Sequence, residues 1–217
     1  MILKHYQLSN SSILKWKYFL FYGENEGLKN EAINIIKKSG FTKNFYRYEE
    51  NEILGNYENF ITEIKNKSFF EESKLILISR VTEKIFSLIE DIKKTEIDDV
   101  KIIINSGKLE KKSKLRQNFE KEKDLICVAF YEDDNKTLIN LANKFFQEKK
   151  ISISREVGNL LIERCRGDRN NLKNELFKIE LFLKDKKNIT QEEVLNLTNL
   201  AENYSHSELV DACLSKN

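Results

Sequence analysis

Tyr18-Phe19-Leu20-Phe21-Tyr22-Gly23-Glu24-Asn25-Glu26-Gly27-Leu28-Lys29-Asn30 reads as a strand that runs into a glycine turn and then into a helix. Further on, Leu75-Ile76-Leu77-Ile78 and Ile102-Ile103-Ile104 carry no polar alternation, which is the pattern of strands covered on both faces. The helix announces itself by Leu28, Ala32, Ile35 and Ile36 at helical spacing. Four further β-type runs follow, Phe45 to Tyr48, Leu75 to Ser79, Lys101 to Asn105 and Leu125 to Phe130. Helical stripes stand between them, Tyr57, Phe60, Ile61 and Ile64, then Ile85, Leu88, Ile89 and Ile92. This rhythm predicts an α/β fold with a parallel five-stranded sheet flanked by helices.

After Tyr131 the β signal stops. Leu138 to Phe146, Val157 to Cys165 and Leu172 to Leu183 read as three consecutive amphipathic helices. Cys165-Arg166-Gly167-Asp168 reads as a tight helix-to-helix turn, with Gly167 fitting a C-cap and Asp168 an N-cap. Thr190 and Glu193 have the spacing of a capping box ahead of another short helix. Ser207 to Leu214 begins a last amphipathic pattern, and a terminal helix standing alone leads us to expect a continuation beyond Asn217.

Composition narrows the function. The chain has 217 residues, 40% of them apolar, enough for one large domain or a domain with a smaller companion. Lys+Arg 37 against Asp+Glu 35 leaves a formal charge of +2, which argues against a wholesale nucleic-acid or membrane binder. Cys127, Cys165 and Cys213 lack CxxC spacing and only His5 and His206 could add imidazole, so no metal site is expected. The odd cysteine count, the lack of a long apolar span and the lack of a signal-like start lead us to expect a soluble cytoplasmic protein without membrane contact.

The glycine turn stands where an α/β nucleotidase carries its phosphate loop, and its chemistry is degenerate. A working loop needs GxxxxGK[ST], so that backbone amides cradle phosphate, the lysine reaches the terminal phosphates and a hydroxyl holds Mg²⁺. Here Gly27 follows Gly23 one residue early, Leu28 intervenes, and Lys29 is followed by Asn30. Glu24 and Glu26 add negative charge where phosphates would lie, and Lys29 is expected on the helix surface. The third strand ends Ser79-Arg80 where an ATPase would place an acidic pair. Asn105, at the fourth strand's end, fits either a polar sensor or a strand-end turn. There is no GxSxG, no HExxH and no histidine placed to serve a nucleophile. No cofactor and no catalytic residue are expected. Glu71-Glu72 and Asp133-Asp134 read as solvated loop charge, with Asp134 a candidate helix cap.

Two other stretches are candidates for binding. Ser68-Phe69-Phe70 places two adjacent rings before the third strand. Neighbouring side chains diverge in a helix and alternate in a strand, so both cannot enter one core. They are either an exposed anchor for a partner's pocket or a pair in which one ring caps the sheet edge and the other lies on a helix. Lys108, Lys111, Lys112, Lys114 and Arg116, against Glu110 alone, are a candidate DNA contact. A solvated helix start is the favoured reading of that stretch, since Glu120 and Glu122 follow and no aromatics interleave.

Taken together, the degenerate phosphate loop, the Ser68 to Ile78 segment, the polar fourth-strand end, the three-helix lid with its Gly-Asp turn and the Ala201 to Leu214 helix start resemble the delta subunit of the bacterial DNA polymerase III clamp loader. The resemblance spans nearly the whole chain. It implies an AAA+ scaffold without ATPase motifs, divided into an α/β domain over 1–133, a helical lid over 134–204 and the start of a C-terminal helical collar over 205–217. It implies that Phe69 and Phe70 insert into a pocket of the ring-shaped sliding clamp and open it for loading on primed DNA during replication. Phe69 stands where the family has leucine. It also implies as partners the clamp (the beta subunit), the gamma/tau and delta prime subunits, and primer-template DNA reached through the assembled loader. The lid motif Gly167-Asp168-Arg169-Asn170 departs from the Gly-Asp-x-Arg of active loader ATPases by placing Asn170 at the sensing position. A nucleotide-binding ATPase with an aberrant loop, and a DNA-binding module, are the alternatives.

Overall fold

The computed structural model describes residues 1–8, 15–39, 41, 44–65, 73–95, 97, 99–184, 186–198 and 213–215. The chain divides into two compact units, Met1–Glu132 and Asp133–Asn217.

Among the described residues, the first unit is built on six strands: β1 (Ile2–Leu3), β2 (Tyr18–Gly23), β3 (Phe45–Glu49), β4 (Lys74–Val81), β5 (Val100–Ser106) and β6 (Leu125–Phe130), in the order β1-β6-β2-β5-β4-β3. Every pairing is parallel. The class is the expected one, a parallel sheet with flanking helices, but the count is six rather than five. The added strand is two residues at the edge, where Ile2 and Leu3 pair with Cys127 and Val128. Two residues are too few to show any periodicity.

Alternate residues of each strand face opposite ways, and both faces are covered. On one face Leu20, Ile76, Ile78, Ile102, Ile104 and Leu125 pack with residues of α2 (Glu50–Gly55), α3 (Tyr57–Lys65), α4 (Ile85–Lys94) and α5 (Lys114–Lys121). On the other, Phe19, Phe21, Leu75, Leu77, Ile103, Ile126 and Val128 meet Leu28, Ala32, Ile33 and Ile36 of α1 (Glu26–Lys38). This double covering is why the strands read as unbroken apolar runs. Full burial of one such aliphatic or aromatic side chain contributes about 1.5–3 kcal/mol before entropy is counted.

The chain leaves β2 for α1 and β3 at the far edge, works back through β4 to β5, then crosses to β6 on the other side of β2. The strand order therefore reverses at β2, and the crevice beyond the C-terminal ends of β2 and β5 is where open α/β sheets place ligands. The third predicted strand runs past Ser79 to Val81 through an irregularity between Ile78 and Val81, with Arg80 at φ 55°. There Arg80 pairs with Glu49 on the surface at 3.0 Å.

The second unit packs α6 (Asn135–Glu148), α7 (Arg155–Cys165), α8 (Arg169–Leu183) and α9 (Gln191–Leu197) around Leu138, Phe146, Leu161, Leu172, Leu176, Ile179 and Val194. Its helix starts are capped by side chains: Asp134 accepts from Thr137 N, Ser154 from Val157 N, Asp168 from Asn171 N, and Thr190 and Glu193 form a reciprocal box. The tight turn forms with Arg166 as the left-handed C-cap of α7 and Gly167 following at φ 78°. Asp133 corrects the expectation of solvated loop charge. Its carboxylate is held by the Arg169 guanidinium at 3.0 and 3.1 Å, with side-chain exposures of 6% and 11%. An arginine one position ahead of Asn170 thus makes an internal ion pair within the helical unit. Most of the expected collar start, including 205–212, lies outside the described residues.

Candidate functional site

The crevice beyond β2 is formed by the β2–α1 turn, the ends of β5 and β6, and the first turn of α1. Gly23 ends β2 at φ 126°, and a Cβ there would stand 2.1 Å from the Phe130 carbonyl oxygen. No other residue fits that approach. Only Glu24 and Asn25 separate the strand from α1, whereas a phosphate cradle needs a longer loop whose amides point inward together.

The amides of this turn are engaged by the chain itself. Gly23 N donates to Gly107 O at 3.0 Å and Asn25 N to Phe130 O at 3.4 Å. Glu26 N donates to Glu24 O at 2.9 Å. The Asn25 side chain caps α1 by accepting from Leu28 N at 2.9 Å and donates from Nδ2 to Tyr131 O at 3.0 Å. Asn25 thereby ties the helix start to the end of β6.

Lys29 reverses the expectation of a surface lysine. Its side chain is fully buried. Nζ donates to Ser106 O at 2.9 Å and pairs with Glu26 Oε1 at 2.5 Å. Asn105 Nδ2 reaches the other oxygen of Glu26 at 3.4 Å. Ser106 Oγ donates in turn to Val81 O at 2.9 Å. The lysine of the degenerate loop therefore points back under the helix, binds the end of β5, and is neutralised by a carboxylate one turn earlier. Glu26 and Lys29 stand three apart, so they share a helix face, and that spacing is the signal in the sequence from which the pair was predictable. Asn105 belongs to this internal cluster. Its Oδ1 is buried without a hydrogen-bond partner.

A nucleotide triphosphate does not fit this arrangement. The turn is short, the amides named above face the chain's own carbonyls, and the one loop cation is matched by Glu26. The cluster instead acts as a fixed strut between α1 and β5.

Behind the crevice, the Arg116 guanidinium lies 4.9 Å from the Tyr22 ring centroid, binds Glu120 at 2.7 Å and donates to Leu109 O at 3.1 Å. Burial holds the Tyr22 phenol far above its ordinary pKa. Arg116 is thus removed from the candidate DNA contact, because its hydrogen-bonding edge is engaged within the unit. Lys108, Lys111, Lys112 and Lys114 are exposed, and Lys112 pairs with Glu110 at 2.9 Å.

Ser68, Phe69 and Phe70 lie outside the described residues, between Lys65 at the end of α3 and Ser73 before β4. The far side of that interval is anchored. Ser73 Oγ donates to Phe41 O at 2.8 Å, and Lys74 Nζ to Glu63 O at 2.9 Å. Among the described residues, no group of three or more His, Cys, Asp and Glu side chains is placed to hold a metal ion. Within them, no helix is long and apolar enough to cross a membrane. Burial pushes the Cys127 and Cys165 thiols up to about 12, which keeps both neutral within the packing.

No protein-family model matches the chain, and no curated protein matches it. Among solved structures, the Bacillus subtilis DNA clamp loader delta protein is similar at 17% identity and TM-score 0.56, over 89% of this chain and 62% of that one. The Thermotoga maritima RuvB Holliday junction branch migration motor is similar at 14% identity and TM-score 0.56, over 88% and 65%. Domain III of the Thermotoga maritima replication initiation protein DnaA is similar at 14% identity and TM-score 0.50, over 87% and 86%. These likenesses show the fold alone, a parallel α/β sheet flanked by helices with a helical region after it. The chain spans under two thirds of the clamp loader delta and RuvB chains.

Proposed function

We propose that the chain is a non-hydrolysing, AAA+-like clamp-loader subunit of the delta type, which binds and opens the sliding clamp during DNA replication in the cytoplasm. The observation that carries this reading is the Lys29–Glu26–Asn105 cluster. An AAA+-like sheet whose loop lysine is engaged by its own chain retains the scaffold's shape without its nucleotide chemistry, which is what a subunit that supplies geometry to an assembly requires. The likeness to the Bacillus subtilis clamp loader delta protein supports the same assignment.

In this reading Ser68, Phe69 and Phe70 are the clamp-binding segment. Two rings buried in an apolar pocket contribute about 1.5–3 kcal/mol each if fully covered. They open the ring only to the extent that they bind its open state better than its closed one. Hydrolysis by gamma/tau neighbours would control access to the segment, delta prime would complete the assembly, and the primer-template would meet the loader as a whole. Lys108, Lys111, Lys112 and Lys114 are the residues offered for a direct DNA contact.

Surface-immobilised sliding clamp from the same organism tests the assignment. The wild-type chain binds it, and Phe69→Ala with Phe70→Ala removes binding while the circular dichroism and unfolding midpoint stay unchanged. Equal affinity of the folded double variant would dismiss the mechanism. Saturable, Mg²⁺-dependent ATP binding that is lost in Lys29→Ala would instead favour an ATPase.

A further inference from the structure

The opposite end of the sheet carries a second site. A cleft of about 460 Å³ opens where β2 begins, lined by Lys15, Trp16, Lys17 and Tyr18, by Lys93 of α4, and by Asp124 just before β6. Its volume falls in the range of small-molecule sites. β2 has six residues, so the cleft lies about 17 Å from the Gly23 turn along the strand.

We propose that this cleft binds a nucleotide unit, its phosphate held by the lysines and its base against Trp16. Lys15, Lys17 and Lys93 line it together with Ile97 and Asp124. Lys93 also contacts Glu122, whose other oxygen accepts from Asn118 Nδ2 at 2.7 Å, so that carboxylate is already held from two sides. Beneath the cleft, the buried Lys101 donates from Nζ to Trp16 O at 2.5 Å and lies 4.5 Å from the Phe41 ring centroid. That bond fixes the backbone of Trp16 from below. Burial first, and the charge of Lys17 second, lower the Lys101 pKa to about 8. Trp16 is half-buried and packs on the core that contains Phe19. An aromatic surface beside lysines suits base stacking with phosphate neutralisation, which no isolated anion site provides. The inference does not depend on the clamp-opening role.

Trp16 is the one tryptophan of the chain, so its emission reports on this site directly. The full chain is titrated with deoxyadenosine monophosphate, deoxyadenosine, inorganic phosphate, and a short oligothymidine strand with and without a 5′-phosphate. Emission and calorimetric heat are read together. We expect a saturable response to the mononucleotide below about 1 mM, at least about tenfold weaker for the nucleoside and for inorganic phosphate. Lys15→Ala with Lys17→Ala weakens it about tenfold at unchanged unfolding midpoint, whereas Lys136→Ala with Lys144→Ala, at exposed positions of α6, leaves it unaltered. Tighter binding of the oligonucleotide identifies a strand as the source, and equal or weaker binding identifies the free nucleotide. No emission change and no heat up to about 10 mM mononucleotide overturns the proposal. So does a response equally strong in the Lys15 and Lys17 double variant, or one that inorganic phosphate reproduces in full.

Discussion

Lys29→Met isolates the strut between α1 and β5. Methionine keeps the unbranched stem and removes the ammonium, so the packing of α1 on Phe19 and Phe21 is preserved while two contacts disappear. The bond to Ser106 O, 2.9 Å and buried, is charge-assisted and contributes about 1.5–3 kcal/mol. The contact with Glu26 adds less than about 1 kcal/mol, because the Glu26 side chain is 55% exposed and water screens it. Relief of the lysine's own desolvation offsets part of the sum, leaving a net loss of about 2 kcal/mol. For a chain of this length that corresponds to a fall in melting temperature of about 4–8 °C. Urea unfolding followed by circular dichroism gives the free energy, and a cycle with Glu26→Gln gives the coupling between the two side chains. An unchanged or raised stability of Lys29→Met would refute the reasoning, since it would mean that Lys29 does not lie under the helix in solution. A lysine reaching outward toward a phosphate would behave in that way.

Two further predictions concern the same unit. Gly23→Ala forces a Cβ to 2.1 Å from the Phe130 carbonyl at φ 126°, so a loss above about 4 kcal/mol or failure to fold is expected in the same urea assay. For Lys101, burial first and Lys17 second lower the pKa from 10.5 to about 8. The unfolded chain therefore holds this proton more tightly, the cost of the buried charge is fully present below about pH 8, and it is relieved as pH rises toward 10.5. The stability of wild type minus that of Lys101→Met should rise across that window, and a flat difference profile would show that Lys101 does not titrate there.

The sheet was legible because both of its faces are covered. Ile102-Ile103-Ile104 and Leu75-Ile76-Leu77-Ile78 could form nothing but central strands once helical stripes stood between them, and the alternation of cores seen at Phe19, Leu20 and Phe21 follows from the pleat. Helix caps at Asp134, Asp168 and Thr190 were legible for the same local reason, a short polar side chain three residues ahead of the amide it serves. The two-residue edge strand at Ile2 was not, because its pairing with Cys127 comes from a contact more than a hundred residues away. Lys29 and Asp133 misled for a related reason. A charged residue reads as surface by default, and only a partner brought close by the fold, the Ser106 carbonyl in one case and Arg169 in the other, makes its burial tolerable. Within the candidate site, the missing phosphate-loop chemistry was legible at Gly27 and Asn30. What replaced it was not, since the Ser106 carbonyl has no sequence signature as an acceptor for Lys29.

Clamp opening in the absence of nucleotide tests the central claim most directly. A fluorophore and quencher placed across one subunit interface of the cognate sliding clamp report ring opening when the full chain is added without ATP. The account predicts a dose-dependent rise in emission that needs no nucleotide, persists in Lys29→Met at temperatures where that variant is folded, and vanishes in Phe69→Ala with Phe70→Ala. A clamp that stays closed at saturating wild-type chain, or that opens equally with the folded double variant, would contradict it.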